Sequence, residues 1–453
     1  MHMRLPALYR NVLAIAAPSV VELVLTAMTQ LVDTVMVGSL GAYAISAVGL
    51  TNQPRFIMLA VFIALNVGST ALVARFKGQG DRKAAELVTA QAVILAVAAS
   101  LAMMVPGILL ARPMVLGMGA AADTVDAATG YFSILMMGFV PTVLPIAVSA
   151  LLRGVGDART SMRYNVTANL VNVVFNYVLI YGKFGFPALG VDGAAMATVI
   201  GNCVACAMAV RAIAGKRRRN EEGSFIRFRL SRETCVPNPA MLKRMLRIGL
   251  PSAAEQFALR IGLLIYTMTI TALGTTVFAA HQIVLSILNL SFVNGQAFGI
   301  AATSLSGQAL GRGEPESAKA TSMACQRLGA LVSTAMGIGM FTFRVQLVRM
   351  FTADPEIVAL GAGVMLIVAI IQPFQSSFQI FAGALRGAGD SLYPAISLAV
   401  GILGIRPLLS YAFVHVMQLG LYGAWLALVA DQFVRYILIM IRFRRGAWVR
   451  TRV

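Results

Sequence analysis

Charge is scarce in this chain, and acid is scarcest. Only 18 of the 453 residues are Asp or Glu, and charged residues amount to 12%, where soluble domains carry about 25%. With hydrophobic residues at 58%, an ordinary soluble globule is excluded. The three histidines, His2, His281 and His415, are scattered and form no metal constellation. Cys203 and Cys206 make a C-x-x-C inside the apolar run "GNCVACAMAV". There is no second cysteine pair to complete a zinc site, so packing is the better reading. No G-x-x-x-x-G-K-[ST] phosphate loop is present, which argues against direct drive by ATP. No enzyme and no organic cofactor are expected.

What is present is long apolar runs. A membrane-crossing helix needs about 20 mostly apolar residues. Twelve stretches qualify: 11–37, 46–75, 84–111, 126–152, 161–182, 189–214, 244–272, 278–309, 317–343, 356–385, 391–416 and 419–443. The first is long, contains acids and lacks a small-residue cleavage site after it, so it reads as a helix and not a removed signal. The expected fold is an all-α polytopic membrane protein. Its organisation is an N-lobe at 1–214, a basic linker at 215–243 and a C-lobe at 244–453.

The net charge of +19 does not imply nucleic acid, because of where it falls. Arg4, Arg10, Arg75, Lys77, Arg82, Lys83, Arg153, Arg159, Arg163, the linker and the tail "RFRRGAWVRTRV" hold most of it, while the alternate loops hold chiefly Arg112, Lys183, Arg344 and Arg349. Lys/Arg bias in short loops sets orientation. Both termini and the linker are therefore expected in the cytoplasm of a cell whose inner membrane the protein spans, with anionic lipid as the bland partner of the positive face.

The chain also repeats itself. "LLRGVGDART" at 151–160 returns as "ALRGAGDSLY" at 384–393, and 386 − 153 = 233 for the two arginines. "LAIAAPSVVE" at 13–22 returns as "LRIGLPSAAE" at 246–255, again 246 − 13 = 233. A period this long is a duplicated half. The glycines of each R-G-x-G-D suit a tight turn at a helix exit. Asp157 and Asp390 are placed to reach Arg153 and Arg386 or the next helix's N-terminus.

Polar groups inside the spans are functional candidates, since each is costly there. Glu22, Thr26, Thr29 and Asp33 fall at i, i+4, i+7 and i+11. Eleven residues make three turns plus about 20°, so the four share one stripe. Asn165, Asn169, Asn172 and Asn176 repeat that spacing in the fifth span. Interhelical hydrogen bonding alone could account for Asn165 and Asn169. Asp33 facing Asn172 and Asn176 makes an oxygen-lined pocket that suits a proton on the carboxylate or a small hard cation such as sodium. The offset carries Glu22 to Glu255 but Asp33 to Tyr266, so only one half keeps the acid. Pro18 and Pro251 make each P-S-x-x-E a polar notch near the cytoplasmic end, and Glu22 and Glu255 are secondary coupling candidates. Asp431 and Arg435 are read as an i, i+4 pair, whereas Arg260 and Arg406 are expected to line water.

"PSVVELVLTAMTQLVDTVMVGSLG", "ATSLSGQALGRGEPESAKA" and the two R-G-x-G-D loops resemble the multidrug and toxic compound extrusion (MATE) transporters over nearly the whole chain. The resemblance implies twelve helices in two six-helix lobes. It also implies a monomer that exports cationic or amphiphilic small molecules in exchange for protons or sodium by alternating access. It maps the family's N-lobe cation site onto Asp33, Asn172 and Thr198, with Thr26, Thr29, Asn169 and Asn202 expected along the substrate cavity. Many members have an Asp where this chain has Asn176, which lowers the site's charge, and Gln375 replaces an acid of the C-lobe. The alternative is a flippase for a lipid-linked or other amphiphilic metabolite, for which a strongly cationic cavity is expected.

Overall fold

The computed structural model describes residues 5–214, 225–228 and 236–451. All regular structure among them is helical. The long elements are α1 (Leu5–Gly38), α2 (Ala42–Gln79), α3 (Arg82–Leu109), the bent α4 (Val125–Met137 with Phe139–Gly154), α5 (Ala158–Tyr181) and α6 (Gly190–Ala214). They are followed by α7 (Pro239–Thr271), α8 (Thr275–Gly311), α9 (Pro315–Thr342), α10 (Pro355–Gly387), α11 (Leu392–Val416) and α12 (Gly420–Arg445). These are the twelve expected spans. Nine of the described helices, or ten with bent α4, are long and apolar enough to cross a membrane by composition alone. The two that fall short are α5 and α9. Their reasons differ: α5 carries the asparagine stripe, and α9 opens on "PESAKAT" and holds Gln326 and Arg327. Large side chains such as Leu101, Val105 and Leu109 of α3 and Leu331, Ile338 and Phe341 of α9 are exposed. In water such apolar surface would be a liability; in a bilayer it meets acyl chains.

Two spans differ from the expected uniform helices. The fourth is bent by 54° at Gly138, where an added Cβ would lie 2.4 Å from Val199 of α6. The bend therefore packs where only a glycine fits. The eleventh passes through π-helical stretches at Val400–Ile405 and Ala412–Val416.

By packing, the chain forms two units, Val21–Leu246 and Met1–Val20 with Arg247–Val453. Of the predicted linker, residues 215–224 and 229–235 lie outside the described set. Its last part is ordered on α3, whose Gln91 donates to the Val236 carbonyl (2.8 Å) and accepts from the Asn238 amide (3.1 Å).

The duplication is legible inside each unit. Thr70 donates to the Ala150 carbonyl at 3.0 Å, and Thr303, 233 positions on, donates to the Gly383 carbonyl at 2.9 Å. The two glycines of each R-G-x-G-D serve different ends. A Cβ on Gly154 would stand 2.9 Å from the Thr70 carbonyl oxygen, and one on Gly387 would stand 2.2 Å from that of Thr303. These first glycines admit a neighbouring backbone. The second glycines turn the chain, with φ of 82° at Gly156 and 90° at Gly389, a left-handed conformation costly for other residues.

Candidate functional site

The α1 and α5 stripes meet in register in the Val21–Leu246 unit. Asn165 donates to Glu22 (2.6 Å), Asn169 to the Thr26 hydroxyl (3.0 Å) and Asn176 to Asp33, each across 143 residues of sequence. A constant separation means two parallel helices aligned along matching faces. The seam exists because both stripes follow the same helical period.

Beside this seam lies a cavity of about 530 Å³, inside the range of roughly 300–1,000 Å³ typical of small-molecule sites. Its walls include Thr26, Thr29, Asp33, Asn169, Asn172, Asn176, Thr198 and Asn202. All four proposed substrate contacts and four of the six proposed coupling residues thus line one space. Glu22 is not on its wall, and Glu255 belongs to the other unit.

Asp33 is half-buried at the end of the seam, with Asn172 and Asn176 buried behind it. The Asn172 amide satisfies its surroundings best with nitrogen toward Asp33, donating to Oδ1 at 3.0 Å and Oδ2 at 3.3 Å while its oxygen faces the Thr198 amide at 3.2 Å. With the amide turned over, its nitrogen reaches the Thr198 hydroxyl at 3.3 Å, whose own proton goes to the Ala194 carbonyl at 3.0 Å. The Asn176 Oδ1 is buried with no hydrogen-bond partner among the described residues. The corner therefore holds one carboxylate, two amide oxygens and a hydroxyl, all hard donors of the kind a proton or an alkali cation takes. Close packing fixes it: a Cβ on Gly201 would come within 2.8 Å of the Ala168 carbonyl oxygen, so α6 presses Thr198 against α5. Asn202 is tied to the α4 bend through Thr142, at 2.8 Å.

The glutamates are differently placed. Glu22 is buried and accepts from Arg153, from Asn165 and, at 3.2 Å, from Ser161. Glu255 is buried and pairs with Arg386 at 2.5 Å. Of the two places expected for the aspartates, the arginine or the next helix's N-terminus, Asp157 takes the second and Asp390 neither. Asp157 caps α5 by accepting from Thr160 at 3.2 Å, and Asp390 pairs with Arg442 at 2.8 Å.

The second unit has no counterpart of the Asp33 corner among its described residues. Tyr266, at the offset position, is buried under Arg406, whose Cζ lies 5.2 Å from the ring centre. Arg406 does not line water as expected; it is buried and donates to Asp431 at 2.6 and 2.9 Å. The predicted Asp431–Arg435 pair is present at 2.8 Å. A carboxylate between two guanidiniums is neutralised in place, which is how a buried charge is tolerated.

A family profile described as MatE matches residues 18–178 and 251–412, more than half of the chain. The chain belongs to the MATE family. MATE relatives include the "Probable multidrug resistance protein NorM" of Thermotoga maritima, 30% identical over 98% of this chain and 94% of that protein. The "Uncharacterized transporter YisQ" of Bacillus subtilis is 27% identical over 92% and 90%. Among solved structures, an outward-facing multidrug resistance MATE family transporter superposes with a TM-score of 0.90 at 23% identity, over 98% of this chain and 96% of that one. A MOP superfamily transporter from Pyrococcus furiosus superposes at 0.89 and 22%, over 98% and 97%. Membership of the MATE family makes this chain a multi-pass membrane transporter.

Among the cavity residues that sequence reasoning missed are Arg55, Tyr131 and the polar Gln30, Thr34 and Asn52. The sign for Arg55 was available: "TNQPRFIML" puts an arginine within the second span with no acid nearby.

Proposed function

We propose that the protein is a secondary antiporter that exports cationic or amphiphilic small molecules in exchange for protons or sodium, with Asp33 as the coupling carboxylate. The single observation that supports this most strongly is that Asp33, the one acid on the cavity wall, is also the end of the α1–α5 seam. Substrate and coupling ion then compete for one charge. Ionised Asp33 attracts a cationic substrate and takes the Asn172 amide nitrogen. A proton on Asp33 turns the carboxyl into a donor, which favours the Asn172 oxygen instead and sends the amide nitrogen toward Thr198. Sodium would replace the proton with the same effect on charge, held by Asp33, Asn172, Asn176 and Thr198. Either event removes the hold on the substrate's cation, and the free energy so released biases the carrier between its two access states. Glu22 and Glu255 serve as anchors of the R-G-x-G-D turns in this mechanism.

The protein acts in this reading as a monomer in the inner membrane with both termini in the cytoplasm, its lobes 1–214 and 244–453 alternating about the 215–243 linker. No nucleic acid takes part. The multidrug resistance proteins among the relatives support the substrate class. Drug accumulation in everted vesicles under separately imposed pH and sodium gradients tests it. Uptake driven by at least one gradient is expected, and uptake indifferent to both contradicts the reading.

A further inference from the structure

Five arginines on the described helices are paired with buried acids. Arg153 is held by Glu22, Arg386 by Glu255, Arg406 and Arg435 by Asp431, and Arg442 by Asp390. Arg55 makes no ion pair and no hydrogen bond with any described residue. It follows Pro54 in α2, is half-buried and is the one basic residue among the described residues lining the cavity, whose one acid is Asp33. The two do not pair with each other. Asp33 is occupied by Asn176 and Asn172, and Tyr131 lines the same cavity.

An unpaired guanidinium inside a membrane protein is expensive and therefore a binding candidate. Its planar fork matches the two oxygens of a carboxylate, sulfonate or phosphate. A cavity lined by one such fork and one carboxylate that do not pair with each other has the charge pattern of a zwitterion. It is not the strongly cationic cavity expected for a polyanionic lipid-linked substrate.

We propose that Arg55 is an anion-binding arm of the cavity, so that the preferred ligand is a zwitterionic amphiphile with its ammonium toward Asp33 and its acidic group on Arg55. This rests on the reading of Asp33 as the cation-binding carboxylate and names a narrower ligand class for the same cavity. It also makes release economical: protonation of Asp33 removes one of two holds while Arg55 keeps its charge throughout.

The test uses two fluorescent probes that differ by one carboxylate, Nε-dansyl-lysine, a zwitterion, and dansylcadaverine, its decarboxylated cation. Binding to the purified full-length chain in detergent is followed by dansyl emission, without any gradient. The wild type is expected to prefer dansyl-lysine. Arg55→Gln should weaken dansyl-lysine by about tenfold, the usual scale for a lost charge-assisted contact, and leave dansylcadaverine within about twofold by the same reasoning. Retained dansylcadaverine binding also shows that the variant is folded. Arg55→Lys, with charge but no fork, should fall between. Competition separates the sources of such a headgroup: displacement of dansyl-lysine by lysophosphatidylethanolamine assigns the site to a lipid headgroup, and retention assigns it to a soluble amphiphile. Equal effects of Arg55→Gln on both probes, no effect on either, or a wild type that binds neither would overturn the proposal. Asp33→Asn run in parallel reads the ammonium end. If it weakens both probes while Arg55→Gln changes nothing, only the role of Arg55 fails.

Discussion

Arg153 grips Glu22 across 131 residues of sequence, and the same grip recurs at Arg386 and Glu255, again 131 residues apart. The duplicated R-G-x-G-D turn is thus fastened to the duplicated P-S-x-x-E helix in both units. Each pair is mostly buried, the arginines being 19% exposed. Removing one partner of a buried pair leaves an uncompensated charge, which costs on the order of 3 kcal/mol. Arg153→Met should accordingly lower the thermal unfolding midpoint of the purified protein, and adding Glu22→Gln should recover part of the loss. A double variant no more stable than the single would show that the pair is not the anchor.

Glu255→Gln should reduce transport less than Asp33→Asn. Glu255 is held by Arg386, and its stripe partners Leu259, Gly262 and Tyr266 contain no second acid. Initial efflux rates of the two variants at matched expression decide this. A transport-dead Glu255→Gln beside an active Asp33→Asn would place coupling in the other half.

The close approach of α6 to α5 at Gly201 is a geometric claim. Valine there would push against the Ala168 carbonyl, now 2.8 Å from the position of a Cβ, and carry Thr198 away from Asn172. Overpacking of this kind typically costs about 1–3 kcal/mol. Dansylcadaverine binding should weaken and unfolding should occur at lower temperature. Unchanged binding would show that Thr198 is dispensable.

Orientation can be read with single cysteines in a cysteine-free background. Thr124 is unsuited to this, because it is buried; Ala122 and Gln79 are exposed. By the charge bias of the loops, Gln79→Cys should react only with reagent in the cytoplasm and Ala122→Cys only with reagent outside. Reaction of both from one face would contradict the expected topology.

Most of the fold was legible because its signals are local or periodic. Apolar runs mark the spans, and the spacing of Glu22 to Asp33 and of Asn165 to Asn176 marks two faces before their pairing is known. What the sequence could not carry was partnership. Nothing local to Arg153 or Arg386 points to a glutamate 131 residues earlier, so the nearby Asp157 and Asp390 offer either a partner or a cap for the next helix, and only the cap at Asp157 is realised. Arg406 looked solitary for the same reason, since Asp431 is 25 residues away on another helix. The bend at Gly138 depends on its fit to Val199 of α6. Arg55 was hidden by the apolar average of its span, and its meaning depends on sharing a cavity with Asp33.

The central claim is that the charge on Asp33 couples the ion gradient to export. The direct measurement is substrate transport by purified wild type and Asp33→Asn in proteoliposomes, with pH and sodium gradients imposed one at a time. Asp33→Asn fixes the neutral form, so it should be folded and yet lose gradient-dependent transport under both conditions. Gradient-driven transport by Asp33→Asn at the wild-type rate would contradict the account and leave the α1–α5 seam as helix packing.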